Sequence, residues 1–190
     1  MDKREIVIVA MGANAQREAS LLKESIRRYH HDLPVAVKTA NYPNMSGVQA
    51  SRWAKINLDK TQAEATLYLD ADTRLFGDVS AGFDILGDGY DIAMSFSANQ
   101  EGDKFWHLMN EERAATYAET CFDPLQMQCG VMFVRWNGAT RSLFAAWRDE
   151  WQRYKHQDQG AFLRALYAHP VRIWLLGRPW NGGNLIAHYF

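Results

Sequence analysis

The chain has 190 residues, 47% of them apolar and 23% charged, and its 21 Lys and Arg against 22 Asp and Glu leave a formal charge of −1 at pH 7. That length fits one compact domain burying roughly 70% of its unfolded surface, and so apolar a chain with so small a net charge is not a disordered one. Without a basic surplus, generic binding to nucleic-acid phosphates is not expected, and no stretch approaches the ~20 consecutive apolar residues of a membrane span.

In chain order, residues 1–5 are mostly charged and run straight into the apolar segment 6–11. That run is too short for a signal sequence with a cleavage site and reads as a first strand. The loop Gly12-Ala13-Asn14 follows. It lacks the later glycines of a dinucleotide fingerprint and the lysine and hydroxyl of a P-loop, so phosphate chemistry here needs another counter-charge. Ala19, Leu22, Ile26 and Tyr29 recur at helical spacing and predict a helix over 17–29. A short strand over 33–37 comes next, then a helix over 46–58 that carries Arg52 and Lys55 about one turn apart on one face. Residues 66–69 form a third strand, ending in Asp70-Ala71-Asp72-Thr73, and residues 91–96 a fourth.

A helix is predicted over 105–120, a buried strand over 129–134, helices over 141–154 and 159–167, and a last strand over 171–176. This alternation predicts an α/β domain, a mainly parallel sheet with helices on both faces. No repeat, linker or low-complexity tract divides it, so residues 1–190 are read as one domain. Cys121 and Cys129 fall among apolar neighbours and are too few for a disulfide framework, so a reducing compartment and a soluble cytoplasmic protein are expected. Seven tryptophans and 13% aromatics are many for this length, and large core side chains account for most of them.

Asp70 and Asp72 carry the most chemical information. They stand at the carboxyl end of a buried strand, where open α/β sheets bind ligands. Residues i and i+2 of an extended segment point to one side, which aims both carboxylates at one point. Two carboxylates so close repel, and burying them unpartnered costs several kcal/mol. A divalent cation removes that penalty and also binds diphosphate oxygens; hard oxygen ligands favour Mg²⁺ or Mn²⁺. The plainer reading is a solvated turn after a strand.

The whole string Leu67-Tyr68-Leu69-Asp70-Ala71-Asp72-Thr73 resembles the "YLDAD" signature of GT-A glycosyltransferases, especially glycosyltransferase family 8 and its nucleotide-diphospho-sugar transferase relatives. At lower specificity the resemblance extends over most of the chain. Arg52 and Lys55 precede the acidic strand where these enzymes place basic residues that touch the nucleotide or its phosphates. Gln128-Cys129-Gly130-Val131-Met132-Phe133 resembles the family's "N-x-G-V-M" strand beside the donor sugar, with Gln128 and Cys129 replacing more usual residues. Asp158-Gln159-Gly160-Ala161-Phe162 is similar to the "D-Q-x-A-L" segment near the reaction centre, and His188 resembles the late histidine that completes the metal site. The resemblance implies a GT-A-like, Rossmann-like fold and transfer of a hexose from a nucleotide-diphosphate sugar, with UDP as carrier, to a glycan or other hydroxyl acceptor with retention.

By the same resemblance, Asp70, Asp72 and His188 hold Mn²⁺ (or Mg²⁺). Arg52, Lys55, Asp70, Ala71 and Gly130 then contact the donor, and Asp158 and Gln159 work at the reaction centre. One departure stands out. The family's Lys-Pro-Trp, which grips the diphosphate, follows the histidine, whereas here Gly177-Arg178-Pro179-Trp180 precedes it and two residues remain after it. A C-terminal extension is therefore expected to be missing, or the clamp to be supplied differently.

Each of these residues also has a plainer role. Asp158 opens a helix and suits an N-terminal cap. Arg52 and Lys55 suit a solvated helix face, and His188 an ordinary surface or core position. Trp174, Trp180 and Asn181 are candidates for an acceptor rim, and core packing serves Trp174 equally well. Cys129 reads as a small buried filler, and His30, His31, His107, His156 and His169 as helix-end or surface residues. Two other functions compete. One is a domain that binds nucleotide sugars without turnover. The other is a haloacid-dehalogenase-type phosphatase, whose D-x-D nucleophile motif wants Thr or Val where Arg74 stands.

Overall fold

The computed structural model describes residues 3–40, 42–98, 100–120 and 123–189; Cys121 lies outside them. Among the described residues, six strands form one sheet in the order β2-β1-β3-β6-β5-β7. They are β1 (Arg4–Val9), β2 (Val35–Lys38), β3 (Ala65–Asp70), β5 (Ile92–Phe96), β6 (Met127–Arg135) and β7 (Ile173–Leu176). β1 pairs in parallel with β2 and β3, and β5 with β7, while β6 runs antiparallel to both β3 and β5. The sheet is thus mainly parallel but mixed.

The central strands are nearly continuous apolar runs because both faces are covered. Val7, Val9, Tyr68, Met132 and Val134 face one layer, built from α5 (Gly138–Tyr154), α6 (Asp158–Ala168) and the end of α2 (Gly47–Lys55). Ile6, Ile8, Leu67, Leu69 and Phe133 face the opposite layer, built from α1 (Ala13–Arg27) and α3 (Ser80–Gly87). Four of the seven tryptophans sit in or against the first layer, as core packing predicts. α4 (Asn110–Glu119) completes the fold beyond α6.

Three elements had no counterpart in the expectation: α3, β4 (Thr73–Leu75) and β8 (Ile186–His188). β4 and β8 make a separate antiparallel ribbon. The helix expected over 105–120 is regular only from Asn110, because residues 105–108 form turns instead. The β5–β6 ladder also breaks, stepping from Met94 opposite Met132 to Ser95 opposite Gln128. Cys129, Gly130 and Val131 are left without a partner on β5, and such irregularities re-aim side chains at strand ends.

Candidate active site

The site lies at the carboxyl end of β3. There the chain turns through Asp70-Ala71-Asp72, a turn closed by the Thr73 hydroxyl donating to the Asp70 carbonyl at 2.8 Å. β4 then pairs with β8 so that Thr73 stands opposite His188, and Tyr189 N donates to the Asp72 carbonyl at 2.9 Å. This ribbon carries a histidine from the far end of the chain onto the acidic turn. His188 Nε2 lies 3.2 Å from Asp72 Oδ1 and 3.8 Å from Asp70 Oδ2. One ligand atom from each of Asp70, Asp72 and His188 falls within 4.8 Å of the others.

Two oxygens and an imidazole nitrogen so arranged fit a divalent cation of the Mn²⁺ kind. His188 Nδ1 is 3.0 Å from the Asn181 amide oxygen; donating there leaves the Nε2 lone pair toward the carboxylates, the usual outer support for a metal-binding histidine. Burial would raise Asp72, but its contact with His188 outweighs this and holds the carboxyl below its ordinary range. Gly130 provides the room beneath. A Cβ there would come within 2.5 Å of His188 Cε1 and 2.7 Å of Asp70 Oδ2.

Lys55 is the second centre of the site. The plainer role of a solvated helix face does not apply to it, since the residue is only 7% exposed. Its ammonium lies 2.8 Å from Asp158 Oδ2 and 3.2 Å from Asp70 Oδ1, and 5.1 Å from the centre of the Tyr68 ring. Burial alone would lower Lys55, but the charges of Asp158 and Asp70 outweigh it and hold it well above the usual lysine range. Burial likewise opposes ionisation of Asp158, and Lys55 more than reverses this, keeping that carboxyl below its ordinary value. The Tyr68 hydroxyl donates to Asp70 Oδ1 at 2.5 Å, and burial with the Asp70 charge pushes the phenol well up. Asp158 does not cap α6: the cap residue is Gln157, whose side chain makes no capping hydrogen bond, and the Asp158 carboxylate turns to Lys55 instead.

Gln159, next on α6, is fixed in a run of amides. Its Nε2 donates to Gln128 Oε1 at 2.9 Å, and its Oε1 accepts from Gln126 Nε2 at 3.0 Å. His107 Nε2 is 3.1 Å from the same Gln126 nitrogen, so His107 belongs to the site wall rather than to the surface. His30 stands just past the end of α1, as a helix-end residue, but it is buried, with Nε2 accepting from Val79 N at 3.0 Å. Arg52 donates to the His156 carbonyl at 2.6 Å and to Gln157 Oε1 at 2.7 Å, strapping the α5–α6 turn to α2.

Arg52, Lys55, Asp70, Ala71, Asp72, Asp158, Gln159 and His188 all line one cleft of about 720 Å³, and Gly130 lies just beneath it. Tyr68, His107 and Gln128 line it too. The signal for Tyr68 was its place in the YLDAD string; for His107 there was none, because its partners are 19 and more residues away. Trp174 lies on edge strand β7 against Tyr90, 5.1 Å between ring centres, and Trp180 packs edge-on against Phe133. Neither lines this cleft. Arg178 does not line it either.

No family model and no curated protein sequence matches the chain. Solved structures do. The chain superposes on the bifunctional glycosyltransferase WbbM with a TM-score of 0.70 at 15% identity, covering 95% of this chain and 40% of that one. It matches the galactosyltransferase LgtC, in complex with donor and acceptor sugar analogues, with a TM-score of 0.62 at 16% identity over 93% of this chain and 74% of the other. A glycosyltransferase involved in glycosylating the major capsid of PBCV-1 gives 0.60 at 14% identity over 97% and 93%. The fold is that of the GT-A glycosyltransferases, and the chain spans less than half the length of WbbM.

Proposed function

We propose that the protein is a metal-dependent glycosyltransferase that moves a hexose from a nucleotide-diphosphate sugar, with UDP as carrier, to an acceptor hydroxyl with retention. One observation carries this reading. In a GT-A fold, Asp70, Asp72 and His188 bring three ligand atoms within 4.8 Å of one another on the wall of a cleft of about 720 Å³, beside a buried Lys55–Asp158 pair.

Mn²⁺ or Mg²⁺ bound by these three residues supplies a Lewis acid for the diphosphate that departs. The rest falls to the chain itself. Lys55 places a permanent positive charge beside Asp70, where the leaving group's negative charge accumulates. Asp158, ionised and desolvated, is suited to stabilise the positive charge that builds at the anomeric carbon. Gln159, held by Gln126 and Gln128, presents a pre-oriented amide to the sugar. The anomeric C–O bond breaks with its electron pair going to the diphosphate. The acceptor oxygen bonds to that carbon, and its proton passes to the departing phosphate.

Calorimetry with UDP and Mn²⁺, paired with an assay of donor hydrolysis and transfer over several nucleotide sugars, tests the reading. Wild type binds UDP only with the metal and turns over at least one donor; Asp72→Ala loses both by tenfold or more. Activity staying near wild type in Asp72→Ala would remove the metal role. Binding without turnover across all donors would favour a non-catalytic nucleotide-sugar-binding domain.

A further inference from the structure

A second cleft of about 610 Å³ opens on the other side of Gln128 and His188, the two residues it shares with the first. Its walls come from the end of β5, the end of β7 and the turn that follows β7. Three features there are unexplained by the donor site. Ser95 is 5% exposed, and its hydroxyl has no hydrogen-bond partner among the described residues. Asn181 uses its amide oxygen on His188, while its Nδ2 is buried with no partner among the described residues. Arg178 is exposed on the cleft wall, no acidic residue is among those lining the cleft, and among the described residues no ion pair takes its charge.

Buried polar groups in native proteins are almost always hydrogen-bonded, and leaving one unmade costs about 1–3 kcal/mol. Two such groups and an uncommitted guanidinium, all on one cleft, describe a surface awaiting a polar ligand. A hydroxyl gives and takes a hydrogen bond, and an amide nitrogen gives one; together they match sugar hydroxyls. A guanidinium among donors, with no carboxylate nearby, matches a carboxylate or phosphate.

We propose that the second cleft binds the acceptor, and that this acceptor is an acidic sugar: a uronate or a sugar phosphate whose anion meets Arg178 and whose hydroxyls meet Ser95 and Asn181. This rests on the glycosyltransferase reading and names the acceptor class for it. The placement suits that role, since a ligand there reaches the donor cleft past Gln128, whose amide is already fixed by Gln159 and by Gly130 N.

Ligand-observed NMR titration tests it with glucose, galactose and mannose, their uronates and 6-phosphates, and inorganic phosphate, with and without UDP and Mn²⁺. Acidic sugars are expected to bind at least tenfold more tightly than their neutral parents. Arg178→Ala should abolish that preference, and Ser95→Ala should weaken neutral and acidic sugars alike. UDP–Mn²⁺ affinity should stay unchanged in both variants. No acidic preference, or one that survives Arg178→Ala, overturns the proposal. So does inorganic phosphate binding as tightly as the sugar phosphates, which would mark an anion site without sugar recognition. Failure of the wild type to bind UDP and Mn²⁺ would instead sink the donor reading, while the sugar arm without nucleotide still decides the second cleft.

Discussion

Gly130 holds its place by what a side chain there would displace. A methyl group at that position would overlap His188 Cε1 and Asp70 Oδ2, both side chains of the proposed metal set. Gly130→Ala should therefore fold and yet bind Mn²⁺ at least tenfold more weakly, measured by calorimetry or electron paramagnetic resonance. Unchanged affinity would mean that the imidazole and carboxylate are not ligands. Lys55 makes a different argument. Removing it leaves Asp158 and Asp70 without their common cation, and breaking a buried pair in this way costs about 3–5 kcal/mol. Because Asp158 is depressed in the fold, the stability it contributes is present above the ordinary carboxylate value of about 3.9 and is lost as pH falls through its lower folded value. Because Lys55 is raised, its contribution is present below the ordinary lysine value of about 10.4 and is lost only as pH rises beyond it. The deficit of Lys55→Met, read by urea unfolding in EDTA, should thus be full at pH 7 and shrink toward pH 3. A deficit independent of pH would show that lost packing, not charge, is responsible.

At the scale of elements, the legible parts were those with a strong period or an unbroken apolar run. β1, β3 and β6 announced themselves as buried strands, and α1 by its spacing. β4 and β8 have three residues each, too few for any period to show, and they exist because they pair with each other across more than 110 residues of chain. The site inherits this division. Asp70 and Asp72 could be read from the end of a strand, but what brings His188 to them is the invisible ribbon, and only the family resemblance pointed to it. The charge state of Lys55 was hidden for the same reason, since a helix face looks solvated until the strand it covers is known. α3 was masked by its composition: Gly82 and Gly87 lower helix propensity. Gly82 is nonetheless required by packing, as a Cβ there would lie 2.2–2.6 Å from the Phe133 ring atoms. Gly82→Ala should gain helix propensity but lose about 1–3 kcal/mol through overpacking. A thermal midpoint equal to or above that of wild type would contradict this close seating of α3 on β6.

Over the whole molecule, the charge balance of −1 provides no long-range field to gather an anionic nucleotide. Attraction has to be local, and the cleft wall is itself acidic at Asp70, Asp72, Asp158 and Glu18 against Lys55 and Arg52. A diphosphate entering alone would meet more carboxylates than cations. The cation and the nucleotide are therefore expected to bind as one thermodynamic unit, each raising the other's affinity by the same factor. At a hundred times its dissociation constant a ligand adds about 2.7 kcal/mol to folding stability. For a chain of this length each kcal/mol raises the melting midpoint by roughly 2–4 °C, so UDP with Mn²⁺ together should raise it by about 5–11 °C. UDP in EDTA, or Mn²⁺ alone at the same concentration, should each give much less, and their separate shifts should not sum to the joint one. Additive shifts in differential scanning calorimetry would mean that metal and nucleotide occupy independent sites, and the two acids and the histidine would then need another explanation for standing together.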